Sequence, residues 1–533
     1  MLRKTVTAAA LLLTSVALLT GCAPAQAPSA PVLTGPPVTG GTFHMALASD
    51  LPTLDPAQAG YDATSWSMVV AVFSSLVDYD EGLGVTGDLA ETWTVSEDGL
   101  TYAFQLRDGL NFSDGSPLTT DDILFSFNRL LDPDTASPGS YLFSNIAGAA
   151  DYMDGSADSI SGITAPDKSN VVIELVEPQP YFANILAMPY ARIMSEAQVK
   201  KYPEDISQHA LGSGPFTVES LTPGQELVLA RNPAYFIPGK PYLDKVQVDL
   251  NVSDQTRVLE FQRGDLSITD VPAAAYQELV QGKDFAPYVV QNEDATTYFL
   301  GMKNNQAPFD SAEVRQALNY AVDKDRLVQL LNGRGTVASQ LTPPPLPGFD
   351  PDAKGYEHDV KKAKDLLAQA GYADGFSSEI LTVNDEQSMR VVQSISADLA
   401  KVGVDVTINA VDQSTFYATV GAEDQAPMFF TYWLNYYPDA YDFFASLLLP
   451  ENAGGSNMFY YSNPDVEAKI RELSSLTEGR AEAIQALDAE VTATAPFVYL
   501  YHSITQNVRQ SDVSYYIHPV HLWRFADYWI SGE

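Results

Sequence analysis

The chain has 533 residues, carries a formal net charge of −38 and is 45% hydrophobic. Its length exceeds what a single hydrophobic core supports, so we expect two or three domains. Because 68 acidic residues stand against 30 basic ones, the composition disfavours a nucleic-acid partner, which needs a basic surface. The acidic excess fits a solvated surface, with cationic ligands as a second interpretation.

The first 22 residues are predicted to be a targeting segment. A basic start precedes an uncharged apolar run over 5–18, which is too short for a membrane span. The segment ends in Leu-Thr-Gly-Cys at 19–22, which resembles the lipobox of bacterial lipoproteins, whose cysteine becomes a lipidated N-terminus. Cys22 is the only cysteine in the chain, so no internal disulfide is expected.

Residues 23–41 are rich in Pro, Ala and Gly and carry no charge, which predicts a flexible tether. No segment after the tether is long and apolar enough to span a membrane. We therefore expect the protein to be anchored to a membrane through lipid on Cys22 and not to cross it.

The body opens with patterns typical of strands and turns. Residues 42–47 alternate as in a strand, and the alternating segments 92–95 and 102–106 flank an Asp-Gly turn, which predicts a hairpin. Thr120 is expected to cap a helix, because two acidic residues follow at once.

Farther along, strand and helix patterns alternate. Residues 379–383 predict a strand, 386–402 a helix that ends at Gly403, and 404–411 a second strand. A strand, a helix and a strand in this order form a βαβ unit, so the two strands are expected to pair in parallel within an α/β lobe.

Six segments, in this order along the chain, resemble the oligopeptide- and dipeptide-type solute-binding proteins of bacterial ABC importers (extracellular solute-binding family 5). These segments lie at 51–56, 87–133, 212–216, 231–236, 315–323 and 433–439. The resemblance covers about residues 42–530. It implies an extracytoplasmic protein that captures a peptide or another small solute and delivers it to the ABC permease subunits. It does not imply catalysis. Metal or haem binding is known among relatives, but this sequence has no ligand cluster for it, so we expect neither a cofactor nor a metal.

The resemblance also implies a fold. This is an α/β, two-lobed periplasmic-binding-protein fold with an additional domain, three domains in all, which bends at a hinge and binds ligand in the interlobe cleft. Lobe I would be discontinuous and the protein a monomer. The implied boundaries are 42–80, 191–290 and 509–533 for lobe I, 81–190 for the additional domain, and 291–508 for lobe II.

The most aromatic stretch lies at 427–449, where nine of the sixteen residues over 429–444 are aromatic. We expect a strand over 428–433, a turn around Pro438 and a short helix from Ala440. Aromatic rings at a strand end can line a cleft, although core packing is the simpler interpretation for most of them.

This stretch departs from the family pattern at one position. In the family's peptide binders it reads Trp-x-x-Asp-Tyr, and the Asp binds the α-amine of the peptide. Here Trp433 is followed by Leu, Asn435, Tyr436 and Tyr, so that a tyrosine takes the Asp position. A phenol is neutral at pH 7 and does not replace a carboxylate opposite an ammonium group. The ligand class, peptide or oligosaccharide, therefore stays open, with Asp439 as the next carboxylate in the chain.

Other ligand-binding candidates follow from the resemblance alone. They are the aromatic and polar residues at matching positions. The full set of predicted ligand residues is Trp433, Asn435, Tyr436, Asp439, Tyr61, Tyr141, Gln413, Tyr499 and Tyr501.

Two other functional classes compete with solute binding. A secreted glycan-acting hydrolase would need paired carboxylates, and the Asp121-Asp122 pair is better explained by a helix start. The chain contains neither a Gly-x-Ser-x-Gly nor a His-Glu-x-x-His motif. A sensor or chaperone on the same fold is the third alternative.

Overall fold

The computed structural model describes residues 33, 35–60 and 62–532. The predicted signal peptide with Cys22, most of the predicted tether, and Tyr61 lie outside the described residues. Among the residues that are described, no helix combines the length and the apolar character that crossing a bilayer requires.

The described ranges contain nineteen β-strands, most of them short. They are β1 Thr42–Ala46, β2 Val77–Tyr79, β3 Val85–Gly87, β4 Ala90–Val95, β5 Thr101–Leu106, β6 Ile163–Thr164, β7 Asn170–Glu174, β8 Phe216–Thr222, β9 Glu226–Arg231, β10 Lys245–Asp249, β11 Ile268–Asp270, β12 Val289–Met302, β13 Gly335–Val337, β14 Phe376–Val383, β15 Val404–Val411, β16 Met428–Leu434, β17 Phe497–Arg509, β18 Val513–Ser514 and β19 Trp529–Ile530.

The same ranges contain fifteen α-helices, with short 3-10 turns between them. They are α1 Ala63–Val72, α2 Thr120–Leu131, α3 Ala149–Met153, α4 Phe182–Leu186, α5 Glu196–Lys201, α6 Asp254–Arg263, α7 Tyr276–Leu279, α8 Ala312–Ala321, α9 Lys324–Leu330, α10 Val360–Gln369, α11 Glu386–Ala400, α12 Gln413–Val420, α13 Tyr441–Leu448, α14 Pro464–Leu473 and α15 Arg480–Thr494.

Three larger sheets organise these elements. The first has the order β1-β10-β9-β8, with β1 and β10 parallel. The second, β4-β5-β7-β6, is antiparallel throughout. The third has the order β11-β17-β12-β16-β14-β15, with β13 also against β17. Strands β14 and β15 pair in parallel along their full length around helix α11, which confirms the predicted βαβ unit.

The longest strands, β12 with 14 residues and β17 with 13, form an antiparallel ladder. A register shift between Glu293 and Thr297 interrupts this ladder. Such an irregularity bends a strand and changes the direction in which its side chains point. Strand β17 pairs with β11 near its C-terminal end, and β12 pairs with β16 beyond the shift. The ladder thus connects β11 with β16, the two strands between which the site is found.

The aromatic stretch folds as the sequence predicts. Strand β16 ends at Leu434, helix α13 begins at Tyr441, and a turn that contains Pro438 joins them. Most of the rings, including those of Trp433 and Phe443, are buried in the main hydrophobic core. Core packing therefore explains the greater part of this composition.

The cap of helix α2 is Thr119 and not Thr120, so that prediction is wrong by one residue. The Asp122 carboxylate accepts a hydrogen bond from the Thr119 backbone N–H at 2.9 Å, and together they form a capping box. Of two adjacent threonines, the one three residues before an acidic side chain takes the cap.

A buried charge cluster joins distant parts of the chain. The Arg192 guanidinium lies 2.8 Å from an oxygen of Asp78 and 3.3 Å from one of Asp88. Arg524, near the C-terminus, lies 2.7 Å from the other oxygen of Asp78. Burial alone would raise the pKa of Asp78, but the two arginine charges outweigh it and lower that pKa to about 2. Asp78 is therefore an anion held by two cations, which fixes strand β2 against the C-terminal segment.

Candidate functional site

A cavity of about 370 Å³ lies beside the β12–β17 ladder. Residues of β12, β16 and β17 form much of its wall, and Asp270 of β11 lies at the wall too. Three side chains come from elsewhere in the chain, those of Arg334, Gln387 and His521. Four neighbouring strands of one sheet, β11, β17, β12 and β16, thus border a compartment of the size that small ligands occupy.

Part of the cavity wall is aromatic. The rings of Tyr298 and Tyr501, which pair across the ladder, stack with centroids 4.4 Å apart and planes 14° apart. The Tyr432 ring lies 5.0 Å from that of Tyr298 and is 42% exposed. These rings offer a flat apolar surface to a bound molecule.

Asp294 is the most deeply buried acid at the cavity, with an exposed fraction of 1%. Its Oδ2 accepts hydrogen bonds from the hydroxyls of Ser503 at 2.9 Å and Thr505 at 2.8 Å. Its Oδ1 has no hydrogen-bond donor among the described residues. The imidazole ring of His521 lies close by, with its Nε2 3.9 Å from Oδ1. Burial raises the pKa of Asp294, and the hydrogen bonds from Thr505 and Ser503 act in the opposite direction.

Two further charged residues line the cavity, and they differ in their pairing. Both carboxylate oxygens of Asp270 have partners. Arg257 Nη1 lies 2.5 Å from its Oδ2, and Asn507 donates to its Oδ1 at 2.7 Å. Arg334 donates from Nε to the Leu331 carbonyl at 3.1 Å, and in the described part of the chain no carboxylate pairs with its guanidinium. Burial lowers the pKa of Arg334. Arg334 is therefore a cation without a counter-ion at the cavity.

The turn after β16 is organised around Asp442, which is 2% exposed. Its Oδ2 accepts from Trp433 Nε1 at 3.0 Å, from Asn435 Nδ2 at 3.3 Å and from the backbone N–H of Tyr436 at 3.1 Å. Burial raises the pKa of Asp442 to about 7, although these hydrogen bonds act in the opposite direction. Trp433 and Asn435 thus serve the conformation of their own turn.

Asp439 is also used within the protein. Its carboxylate pairs with the Arg480 guanidinium through contacts of 2.7 and 3.1 Å, and it accepts from the backbone N–H of Tyr441 at 2.8 Å. Both oxygens therefore have donors within the protein.

The turn also meets a segment from far along the chain. The Tyr181 ring stacks on that of Tyr437, 5.0 Å away at 10°, and on that of Tyr441, 5.1 Å away at 25°. The Arg480 guanidinium lies 5.4 Å from the centre of the Tyr181 ring, and Asn184 donates to the Pro438 carbonyl at 3.3 Å. We call this set of contacts the Tyr181 junction.

The predicted ligand residues lie in different parts of the structure. Tyr501 lines the cavity, and Tyr436 is half-buried with its ring 5.0 Å from that of Trp433. Tyr499 is buried and packs on Phe497 at 5.0 Å. The remaining described candidates are Trp433, Asn435 and Asp439, in the turn, and Tyr141 and Gln413, both exposed. These positions do not test ligand binding, so the assigned roles stay predictions.

Apart from Tyr501, sequence reasoning missed the polar and aromatic side chains at the cavity. Among them are Asp270, Asp294, Arg334, Gln387, His521, Tyr298 and Tyr432. One signal was present: Asp is depleted in strands, and Asp294 directly precedes the segment Ala-Thr-Thr-Tyr-Phe-Leu at 295–300, which is rich in strand-forming residues. No motif marks Arg334, because its place at the cavity depends on how β13 and β17 pair.

The buried Asp442 gives a pH-dependent signal. Its pKa in the folded protein is about 7, against the ordinary 3.8, so folding favours the protonated form. The contribution of Asp442 to the free energy of unfolding therefore falls as the pH rises from about 4 to about 7, and it stays constant above pH 7. Because Trp433 donates to it, we expect tryptophan fluorescence to titrate with a midpoint near pH 7, and Asp442→Asn to abolish that phase.

The control is Asp88→Asn, because burial also raises the pKa of Asp88 to about 7. Persistence of the phase in Asp442→Asn and its loss in Asp88→Asn would contradict this assignment.

Comparisons with known proteins agree with this architecture. Residues 84–455 match the family model of bacterial extracellular solute-binding proteins, family 5 Middle. The glutathione-binding protein GsiB of Salmonella typhimurium (strain LT2) is 29% identical over 434 residues, which cover 80% of this chain and 81% of the relative. GsiB of Escherichia coli O1:K1 is 29% identical over 431 residues, 79% of this chain and 81% of the relative.

Solved structures of related proteins have the same fold. The clavulanic acid biosynthesis oligopeptide binding protein 2 has a TM-score of 0.86 and 26% identity, covering 95% of this chain and 98% of its own. The periplasmic binding protein DppA of Helicobacter pylori, in complex with the peptide STSA, has a TM-score of 0.78 and 24% identity, covering 93% and 99%. The expected α/β periplasmic-binding-protein fold with two lobes and an additional domain is thereby confirmed. Since the family model spans well over half of the chain, the protein belongs to the bacterial extracellular solute-binding proteins of family 5.

Proposed function

We propose that the protein is the solute-binding lipoprotein of an ABC importer, which captures short peptides in an interlobe cleft and delivers them to the membrane permease. It performs no chemical reaction on the ligand. It is held at the extracytoplasmic face of the cell membrane by lipid on Cys22 and acts as a monomer.

The observation that carries this proposal is the cavity beside the β12–β17 ladder. It combines an aromatic wall with one incompletely paired acid, Asp294, and one unpaired base, Arg334. A pocket with a few convergent polar groups on an otherwise apolar wall is typical of small-molecule sites. The family assignment supports capture and release, since its members are solute-binding proteins.

The ligand class is argued from relatives that bind peptides. GsiB is named for glutathione, itself a tripeptide, and DppA of H. pylori was solved with a bound tetrapeptide. Backbone amides of a peptide would find donors and acceptors on the cavity side chains of Gln387 and Gln506. A site of this kind accepts many sequences, because it recognises the peptide frame rather than its side chains.

An oligosaccharide is the second candidate. The exposed ring of Tyr432 next to Tyr298 supports it, because sugars pack on aromatic faces. A neutral glycan, however, would leave the charges of Asp294 and Arg334 uncompensated, which is costly in a closed site. The charges therefore favour the peptide.

The Tyr181 junction would hold the cleft closed. Tyr181 and Asn184 belong to the predicted additional domain (81–190), and the turn they touch belongs to predicted lobe II (291–508). Contacts that form only when two lobes meet shift the equilibrium towards the closed form.

The proposed domain boundaries have support from the sheets. Sheet β1-β10-β9-β8 falls within proposed lobe I, and sheet β4-β5-β7-β6 within the proposed additional domain. The hairpin of β2 and β3 crosses the boundary at 80, so the additional domain is joined to lobe I by pairing as well as by the chain.

Native mass spectrometry tests the ligand class. The protein is incubated with a randomised tripeptide library, reduced glutathione and a ladder of maltose to maltohexaose, and retained masses are read. We expect peptide masses to be retained, because only they compensate both charges. Retention of glycans alone, or of no added compound, would overturn the proposal of peptide capture.

Lipidation is tested by Cys22→Ser. Without the thiol no lipid is attached, so we expect the protein to move from the membrane fraction to the soluble fraction of cell extracts. Ser29→Cys, which places a thiol in the tether and outside the lipobox, combined with Cys22→Ser should not restore membrane binding. A Cys22→Ser protein that still sediments with membranes would argue against the anchor.

The junction is tested by Tyr181→Ala. Stacked aromatic pairs contribute about 0.5–1.5 kcal/mol each, so losing two of them should lower the affinity for the tripeptide library about tenfold. Tyr181→Phe keeps the ring and should retain wild-type affinity. Unchanged affinity in Tyr181→Ala, measured as the fraction of retained peptide over a dilution series, would show that the junction does not stabilise the closed form.

A further inference from the structure

The acids next to the aromatic turn are already satisfied. Asp439 is paired with Arg480, and Asp442 accepts three hydrogen bonds on one oxygen. The family's amine-binding position itself holds Tyr436. An ammonium group of a ligand must therefore find its carboxylate elsewhere.

Asp294 meets the requirements for such a partner. It stands at the wall of the cavity, is 1% exposed, and has one oxygen without a donor among the described residues. The Nε2 of His521, 3.9 Å away, lies beyond hydrogen-bond distance. A buried carboxylate with one oxygen that lacks a donor is destabilising, and an ammonium group at that oxygen would lower this cost.

Arg334 offers the complementary feature at the same cavity. One of its N–H groups is used by the Leu331 carbonyl, and its guanidinium has no carboxylate partner in the described chain. A guanidinium binds carboxylates through two parallel hydrogen bonds. Asp294 and Arg334 do not pair with each other, although both line one compartment. The cavity thus contains one acid, which can pair with a cationic group of a ligand, and one base, which can pair with an anionic group.

We infer that the cavity selects zwitterionic ligands, with Asp294 binding the terminal ammonium group and Arg334 the terminal carboxylate. This inference rests on the proposed function and adds to it the two residues that recognise the ends of the peptide. It also explains how tyrosine is tolerated at the family's Asp position, because the amine-binding carboxylate is supplied by strand β12 instead of the turn after β16.

The test is a competition between three forms of one randomised tripeptide library: free at both ends, N-acetylated, and C-amidated. Native mass spectrometry measures how much of each form the protein retains. We expect the wild type to retain the free form at least tenfold better than either blocked form, since each block removes one charge.

Asp294→Asn should abolish the preference for the free over the N-acetylated form and keep the preference over the amide. Arg334→Gln should do the reverse. These preferences are ratios within one sample, so partial loss of folded protein does not affect them. Asp270→Asn is the matched control, because Asp270 lines the same cavity but both its oxygens have partners; it should behave as the wild type.

The outcomes separate the two proposals. If the wild type retains no peptide, peptide capture itself fails, and this inference with it. If the wild type retains peptides but Asp294→Asn and Arg334→Gln keep both preferences, peptide capture stands and the assignment of these two residues is overturned. Equal retention of free and blocked peptides by the wild type would also overturn it.

Discussion

The pairing of β12 with β17 is the constraint on which the site depends. Tyr298 faces Tyr501 across this ladder, and Asp294 on β12 receives its two hydroxyl donors from Ser503 and Thr505 on β17. Side chains alternate between the faces of a strand, so a slip of one residue would turn each of these groups to the opposite face. The aromatic wall is therefore fixed by the register that follows the shift, and Asp294 lies within the shift itself.

Three buried acids near the site are stabilised in three different ways. Asp439 has a guanidinium partner, Asp442 has several neutral donors, and Asp294 has two hydroxyls on one oxygen only. The first two arrangements build the turn after β16 and leave little capacity for a ligand. The incomplete arrangement is found at the cavity. The pattern of hydrogen-bond donors thus distinguishes the acids of the turn from the acid of the cavity, a difference that no motif in the sequence shows.

The sequence was informative where a signal is local. The βαβ unit over 376–411 and the strand and helix around Pro438 follow from hydrophobic periodicity and turn residues, and the structure contains them. Family motifs predicted the fold correctly because several of them recur in order. The cavity was not predictable in this way, because Asp294, Arg334 and Tyr432 are far apart in the chain and carry no shared pattern. Their proximity is a product of strand order in the third sheet, which a single sequence does not reveal.

The cluster of Asp78, Arg192 and Arg524 has a consequence for the timing of folding. The segment that contains Arg524 also supplies Phe525 and Tyr528, whose rings lie 5.8 and 5.5 Å from that of Phe43 at the start of the body. A chain emerging N-terminus first therefore leaves Asp78 and Phe43 without these partners until the segment that contains Arg524 and Tyr528 has been synthesised. The native environment of Phe43 and Asp78 is thus completed by residues that are made long after them.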